Sequence, residues 1–254
     1  MYNHSGVSSS EGRVFGGAKL STDSLVGFDG PIRETTLAFR GVEVPLVRPA
    51  EPDRLLDDPA VHERNRRDDY MPYWAYLWPG AFLLADALAE GGPLVDQECL
   101  ELGCGLGLAG LVALRQGAHV RFTDYDEVPL AFVAASARRS GFGTDRCSFG
   151  LLDWREPPEA AYPLILGADL LYEHRLVPLV VSVLSRMLSS DGSALIAGPY
   201  RVATEGFEPV LDAAGLKHEA TKRACLNEEG REVRGTIHRV WKAGARFVGP
   251  PVRS

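Results

Sequence analysis

One carboxylate and four glycines fall within ten residues of the chain, in the segment Glu101–Gly110, which reads ELGCGLGLAG. Apolar residues precede this segment, and apolar residues at helical spacing follow from Leu108 to Gln116. The pattern predicts a buried strand, a tight turn and a helix. Glycine lets the turn adopt a positive φ and a ligand approach closely, while the helix offers free N–H groups at its positive end. The segment therefore predicts a nucleotide site.

One spacing of these glycines matches a dinucleotide site. Gly105, Gly107 and Gly110 form the pattern GxGxxG. Asp124 follows about twenty residues later, where a dinucleotide-binding protein carries the acid that binds ribose. NAD is therefore one candidate ligand, and a turn that binds no cofactor is a further alternative.

A second spacing starts earlier, at Glu101, and includes Gly103, Gly105 and Gly107. It resembles the (D/E)xGxGxG loop of S-adenosylmethionine (SAM) methyltransferases. A carboxylate at this strand end can pair with the cationic amino group of the methionine moiety, whereas it would repel a pyrophosphate. The charge of Glu101 therefore favours SAM over a dinucleotide.

Acidic residues stand at the ends of four predicted strands: Glu101, Asp124, Asp153 and Asp169. Because ligands of parallel α/β sheets bind beyond the carboxyl ends of the strands, these acids are expected at one rim. Asp124 is placed to accept hydrogen bonds from ribose hydroxyls. The structural alternatives are that Asp153 caps a helix beside a packed Trp154 and that Asp169 caps the next helix. If the chain turns helically after Asp169, Tyr172 lies beside it.

A dense aromatic segment precedes the predicted helix Ala81–Leu88, which Pro79 and Gly80 begin. Four aromatic residues fall within six positions: Tyr73, Trp74, Tyr76 and Trp78. Such residues form either core or the wall of a pocket for a flat or cationic ligand. Trp78 is the one that we expect to touch ligand.

Strands and helices alternate along most of the chain; the predictions include a helix at Glu127–Arg139, a strand at Tyr162–Ala168, a turn at Asp191-Gly192 and a strand at Ala194–Ala197. The last two predicted strands, Lys217–Leu226 and Thr236–Lys242, are joined by the hairpin Asn227–Arg231. This order predicts a Rossmann-like, doubly wound α/β fold. Its mostly parallel seven-stranded sheet ends in an antiparallel C-terminal hairpin, and an N-terminal hairpin and helix extend it. The predicted division is a mobile arm (1–33), an N-terminal extension (34–96), a SAM-binding domain (97–243) and a tail (244–254).

Composition narrows the class of protein. The chain of 254 residues has a formal net charge of −7, which argues against a protein that grips nucleic acid. The basic cluster Arg64, Arg66 and Arg67 is predicted to be a solvated helix face, and recognition of an acidic partner is the alternative. The four cysteines lack the spacing of a metal or redox motif, so no metal site is expected. With neither a secretory signal nor a membrane span in the sequence, we expect a cytoplasmic protein.

Five motifs carry a resemblance to a known family: YWAYLWPG, LELGCGLG, TDYD, LLDW and DLLY, in this order from Tyr73 to Arg201. The chain resembles the class I, seven-strand SAM-dependent methyltransferases. Within them it is similar to the protein-lysine methyltransferase group that includes the electron transfer flavoprotein β-subunit lysine methyltransferase.

The resemblance implies a role for each matching position. Seven residues would bind the cofactor: Trp78, Glu101, Gly103, Gly105, Asp124, Asp153 and Trp154. Glu101 and the glycines would hold its methionine end, Asp124 the ribose, and Asp153 with Trp154 the adenine. Asp169 and Tyr172 would be the catalytic pair beside the target nitrogen.

The resemblance therefore implies a SAM-dependent N-methyltransferase acting on a lysine side chain of a protein. One alternative acceptor is a small amine or a heteroaromatic nitrogen. An NAD-binding oxidoreductase and a nucleotide-sensing module are alternatives of another class.

Overall fold

The computed structural model of the chain describes Leu25 and residues 27–199 and 206–244. The predicted arm and tail therefore lie mostly outside the described residues. Within the predicted arm, Leu25 and Phe28 are buried. The Phe28 ring contacts Trp74 and Phe132 edge-on, at centroid distances of 6.4 and 5.0 Å. The chain thus joins the core before its first strand begins.

The described elements follow the predicted alternation closely. The strands are β1 (Ile32–Phe39), β2 (Val42–Pro49), β3 (Glu98–Leu102), β4 (His119–Asp124), β5 (Cys147–Leu151), β6 (Tyr162–Ala168), β7 (Leu188–Gly198), β8 (Leu216–Leu226) and β9 (Glu232–Lys242). The helices are α1 (Pro59–Asp68), α2 (Pro79–Gly91), α3 (Leu108–Arg115), α4 (Glu127–Arg139), α5 (Val177–Met187) and α6 (Phe207–Ala213). Short 3₁₀ helices occupy Pro52–Asp57, Tyr73–Ala75 and His174–Leu176.

The main sheet has seven strands in the order β5-β4-β3-β6-β7-β9-β8. The first five are parallel, and β9 runs antiparallel to both β7 and β8. Helices α2, α3 and α4 cover one face of this sheet and α5 and α6 the other. The predicted fold class is therefore confirmed, including the antiparallel C-terminal hairpin.

The N-terminal extension begins with the predicted hairpin. Strands β1 and β2 form a separate antiparallel pair joined at Arg40 and Gly41, which have φ values of +47° and +87°. Val44 and Leu46 of β2 are fully buried in the same hydrophobic cluster as α3 and α4. The predicted boundary between the N-terminal extension and the SAM-binding domain, at residue 97, stays a prediction. The hydrophobic cluster contains residues from both sides of this boundary.

Two predicted strand boundaries are wrong. Strand β7 begins at Leu188, directly after α5, and runs through Asp191, where the sequence predicted a turn before a strand at Ala194. A register shift in its pairing with β6, between Tyr162 and Leu164, accommodates these residues. Strand β9 begins at Glu232, four residues before the predicted Thr236, because its ladder with β8 continues to the hairpin turn.

The sheet order locates the site. Strand β4 lies on one side of β3 and β6 lies on the other, so the chain reverses its winding at β3. The loops after these strands diverge there and leave a crevice at the carboxyl edge. None of the helices in the described ranges is long and apolar enough to span a membrane.

Gly107, which precedes α3, provides a test of how tightly this turn is packed. It has φ +70°, and an added Cβ would lie 2.7 Å from a methyl carbon of Val133. Gly141 has φ +81° with open space around it, so it serves as the matched control. We expect Gly141→Ala to lower the free energy of unfolding by about 1–2 kcal/mol from backbone strain. Gly107→Ala should cost about 1–3 kcal/mol more because of overpacking.

Urea denaturation of both variants measures these costs. Equal losses in the two variants would show that the α3–α4 contact yields easily and does not hold the turn.

Candidate active site

A cleft of about 680 Å³ opens at the carboxyl edge of the sheet, beside β3. The structure brings every predicted site residue into its lining: Trp78, Glu101, Gly103, Gly105, Asp124, Asp153, Trp154, Asp169 and Tyr172. Strands β3, β4, β5 and β6 supply the acids, and the segment before α2 supplies the aromatic wall.

Glu101 lies at the base of the cleft and is only 2% exposed. Its Oε2 atom has no hydrogen-bond partner among the described residues. Burial raises the pKa of Glu101 to about 8; the Gly110 amide opposes this shift and Asp124 adds to it. A buried carboxylate without a partner is costly, so this position is suited to a cationic ligand group.

The glycine loop after β3 connects Glu101 with Asp124 of β4. Gly103 and Gly105 have φ values of +52° and +50°, which a residue with a Cβ would adopt only under strain. The Gly105 amide donates a 3.0 Å hydrogen bond to Oδ2 of Asp124, and the Asp126 amide donates to Oδ1 at 3.1 Å. Loss of solvation raises the pKa of Asp124 to about 6, despite these amide donors. The loop thus fixes the Asp124 carboxylate in the cleft.

Asp153 and Trp154 form another part of the wall. Arg155 binds the Asp153 carboxylate through its Nε, 2.8 Å from Oδ1, and lowers the pKa of Asp153. Its backbone amide also donates to Oδ1 at 2.9 Å, which closes a turn, and no helix begins there. The helix-cap alternative for Asp153 is therefore wrong. Trp154 lies against Gly103, where an added Cβ would be 3.1 Å from the indole.

Asp169 follows β6 in a left-handed conformation, with φ +56°. Its amide donates to the Ala197 carbonyl at 2.8 Å. The carboxylate lies against Gly80 in the first turn of α2, where an added Cβ would come within 2.5 Å of Oδ2. A carboxylate at this position is stabilised by the helix dipole, and only glycine leaves room for it. This contact explains the glycine of the WPG sequence.

The conformation after Asp169 differs from the prediction. The chain bends from Asp169 to Glu173 without a helical turn, so the predicted helical i, i+3 relation to Tyr172 is wrong. The next helix, α5, has Leu176 as its N-cap, so the capping alternative for Asp169 is also wrong. Asp169 and Tyr172 nevertheless line the same cleft.

The aromatic segment before α2 forms another wall of the cleft. The ring of Tyr73 contacts Trp78 and Tyr172 edge-on, at centroid distances of 5.9 and 5.5 Å. The indole N–H of Trp78 donates to the Tyr73 carbonyl at 2.8 Å. Tyr73 and Tyr172 are each about 40% exposed, at 41% and 40%. Trp74, in contrast, is buried and packs against Phe132. The aromatic segment therefore serves as both core and pocket wall.

The sequence reasoning missed a hydrogen-bond network at the rim of the cleft. Tyr70 donates its hydroxyl proton to Asp126, and Arg64 donates to the same carboxylate at 2.9 Å. Trp74 donates to the Tyr70 hydroxyl at 3.1 Å, and the guanidinium of Arg64 lies 3.5 Å from the ring centre of Tyr70. Burial raises the pKa of Tyr70. The TDYD motif contained a signal, because Asp126 precedes the helical pattern of α4 as an N-cap does.

The described residues show no candidate metal-binding site. They contain no group of three or more His, Cys, Asp or Glu side chains that could hold a metal ion.

A family model described as "Lysine methyltransferase" matches residues 75–206 of the chain. The chain belongs to the lysine methyltransferase family. The matched range contains all the acids described above, so the family resemblance predicted from the sequence is confirmed. Membership of the lysine methyltransferase family implies SAM as the methyl donor.

Individual relatives of this family match over part of their length. Protein N-lysine methyltransferase METTL21A from Danio rerio is 33% identical over 130 residues, covering 48% of this chain and 59% of the relative. Electron transfer flavoprotein beta subunit lysine methyltransferase from Xenopus laevis is 31% identical over 143 residues, covering 55% and 57%. The chain thus spans less than two thirds of either relative.

Among solved structures, a TehB-like SAM-dependent methyltransferase from Corynebacterium glutamicum aligns with a TM-score of 0.48 and 19% identity. The alignment covers 73% of this chain and all of that one.

The residues that line the cleft of this lysine methyltransferase family member fit SAM. The acids at the strand ends can accept hydrogen bonds from an ammonium group, ribose hydroxyls and an adenine amino group. In their ionised form, the same acids would repel the pyrophosphate of NAD.

Glu101 gives the protein a pH-dependent stability that can be measured without substrate. Its pKa is raised from 4.5 to about 8 in the folded state, so the folded protein binds a proton that the unfolded chain releases between these values. The free energy of unfolding should therefore fall as pH rises from about 5 to 7.5. We expect Glu101→Gln to remove on the order of 3 kcal/mol of this fall.

Urea denaturation at both pH values, compared between wild type and variant, measures this contribution. Glu98→Gln is the control, because Glu98 lies exposed on the same strand. An unchanged pH dependence in Glu101→Gln would show that Glu101 is ionised in the empty cleft.

Proposed function

We propose that the chain is a SAM-dependent methyltransferase that methylates a lysine side chain of a protein. The observation that carries the proposal is the buried Glu101 carboxyl group beside the glycine loop, whose Oε2 atom has no hydrogen-bond partner among the described residues and which lies inside the range that matches the lysine methyltransferase family. The names of the relatives METTL21A and electron transfer flavoprotein beta subunit lysine methyltransferase support a protein acceptor.

The proposed cofactor-binding roles follow from position in the cleft. Glu101 binds the methionine ammonium, and Gly103 and Gly105 let the cofactor approach the backbone. Asp124, held by the Gly105 amide, binds the ribose hydroxyls. When bound there, SAM would supply a methyl group that its sulfonium sulfur makes electrophilic, and the sulfur would keep the electron pair of the carbon–sulfur bond.

Asp153 and Trp154 would bind the adenine end of the cofactor. Trp154, which lies against Gly103, would pack on the base, and Asp153 would accept from the adenine amino group while it keeps its bonds to Arg155. An ionised carboxylate has enough lone pairs to accept from both donors. Trp78 encloses the cofactor from the N-terminal side.

At the acceptor end, alignment and exclusion of water are the main requirements, because the methyl group is already activated. Asp169 is held against the first turn of α2 and orients the incoming ammonium. Tyr172 and Tyr73, in edge contact, narrow the channel around the aliphatic stem of the lysine. The ammonium must lose a proton before it can attack.

A small amine or a heteroaromatic nitrogen is the second candidate acceptor. The exposed rings of Tyr73 and Tyr172 favour it, because a flat cation can stack on such rings as readily as a lysine stem packs between them. A cytoplasmic location and the absence of nucleic acid binding stay predictions made from the sequence alone.

Ligand-induced thermal stabilisation tests the cofactor. A ligand at about 100 times its dissociation constant stabilises by about 2.7 kcal/mol, which raises the melting temperature of a chain this long by about 5–10 °C. We expect this shift with SAM and with S-adenosylhomocysteine, and none with NAD. Asp124→Asn should reduce it, whereas Asp57→Asn, at an exposed position, should not. A shift with NAD alone would replace the proposed function by that of a dinucleotide-binding protein.

Methyl transfer tests the acceptor. Wild-type protein with methyl-labelled SAM and lysate of the source organism should label lysine in a protein fraction. Asp169→Asn should lower the rate about a hundredfold while SAM affinity is retained, because the acceptor loses its orientation. Asp191→Asn, at the opposite edge of the sheet, is the control.

Label confined to small molecules would transfer the proposal to the second acceptor class. Full turnover by Asp169→Asn, with SAM binding intact, would remove Asp169 from the site.

A further inference from the structure

His238 of β9 is a buried titratable residue to which the proposed mechanism has so far given no role. Its side chain is 6% exposed, and its Nδ1 atom has no hydrogen-bond partner among the described residues. The nearest acid, Glu208 of α6, holds Oε1 3.6 Å from Nδ1, and the ring of Phe207 contacts the imidazole edge-on at 5.3 Å. The Nδ1 atom therefore lacks the hydrogen bond that a buried polar atom normally has.

A small cavity, here called the inner cavity, lies between His238 and the acceptor end of the cleft. Its volume is about 10 Å³, close to the space of one water molecule. Four residues with polar side chains line it: Asp169, Tyr172, Thr236 and His238. A water molecule there would have the two to four polar partners that buried water requires.

The surroundings of His238 favour the neutral ring. Burial lowers the pKa of His238; Glu208 opposes this effect and His218 of β8 adds to it. Across the inner cavity, the titratable groups are Asp169 and Tyr172. A neutral imidazole has one nitrogen that can accept a proton.

Glu208 connects His238 with solvent. Its side chain is 46% exposed and its Oε1 atom lies 3.6 Å from Nδ1 of His238, so this nitrogen lies beside a carboxylate that reaches solvent. A continuous series therefore leads from the acceptor site to the surface of α6: Asp169 and Tyr172, the inner cavity, His238 and Glu208.

We propose that His238 takes up, through one water molecule in the inner cavity, the proton that the acceptor ammonium loses before methyl transfer. This inference rests on the proposed function and deepens it. An N–H bond of the ammonium breaks and its electron pair stays on nitrogen, where it forms the new bond to the methyl carbon. The proton passes to the water, which gives one of its own protons to the imidazole, and the imidazolium releases its proton to Glu208 and solvent.

His238 acts through the water and is therefore a positioning residue of a relay. A relay of this kind matters most where the acceptor is protonated. A lysine ammonium has a pKa of about 10.4, so the fraction of neutral amine in solution rises about tenfold per pH unit below that value. Without the relay, the rate of methyl transfer depends on the fraction of the acceptor that is already a neutral amine in solution.

The experiment compares the methyl-transfer rates of wild type and His238→Gln in single turnover between pH 7 and 9. The donor is methyl-labelled SAM, and the acceptor is the protein fraction of the lysate whose lysines wild type methylates. We expect His238→Gln to be about a hundredfold slower at pH 7, at the lower end of the effect of a proton-transfer group. Its rate should rise about tenfold per pH unit. The wild-type rate should rise less steeply, so the deficit shrinks towards pH 9.

His119→Gln is the matched control, because His119 lies at the opposite edge of the sheet, where β4 begins. Thr236→Val removes one polar wall of the inner cavity and should give a smaller deficit with the same pH dependence. The SAM-induced thermal shift of each variant reports that the cofactor site is folded.

A deficit of His238→Gln that is equal at all pH values, or no deficit, would overturn the relay while the proposed function stands. Absence of transfer by wild type would overturn the proposed function and the relay together.

Discussion

The cleft depends on one electrostatic constraint, a carboxylate buried at the end of the central strand. Glu101 lies 2% exposed on β3, with one oxygen unpartnered among the described residues, and its pKa is raised to about 8. Burial without a partner costs free energy, and a cationic ligand group would recover it. Crowding fixes the residue in place, since an added Cβ at Gly110 would lie 2.4 Å from Oε2. A diphosphate is itself an anion and would not supply the positive charge that this position favours.

The N-terminal segment completes the site by covering the glycine loop. Gly105 lies so close to the backbone of Trp74 that an added Cβ would be 3.4 Å from its carbonyl oxygen. Trp74 is in turn held by Phe28, by Phe132 and by the Tyr70 hydroxyl, which is bonded to the N-cap of α4. The wall of the cleft is thus anchored to the helix that follows Asp124. This explains why the extension shares its hydrophobic core with the sheet.

The acceptor end is organised by the first turn of α2. Gly80 admits the Asp169 carboxylate at the positive end of the helix, and the Ala197 carbonyl holds the Asp169 amide at 2.8 Å. Three elements that are distant in the chain therefore meet at one side chain. The left-handed conformation of Asp169 costs free energy, and such strain persists where the surrounding contacts determine it. The inner cavity and His238 lie directly behind this junction.

The sequence by itself determined the alternation of strands and helices and the acids at the strand ends. Both are local patterns: apolar periodicity predicted β6 and α4 at their observed bounds, and the glycine spacing predicted the turn after β3. Only the tertiary structure decided that Asp169 meets Gly80, that Tyr70 and Arg64 share Asp126, and that His238 borders the acceptor site. These contacts join residues far apart in the chain, and no local pattern encodes which of them will meet. The long β7 shows the same limit, because its pairing partner, and not its own Asp191-Gly192, sets where it begins.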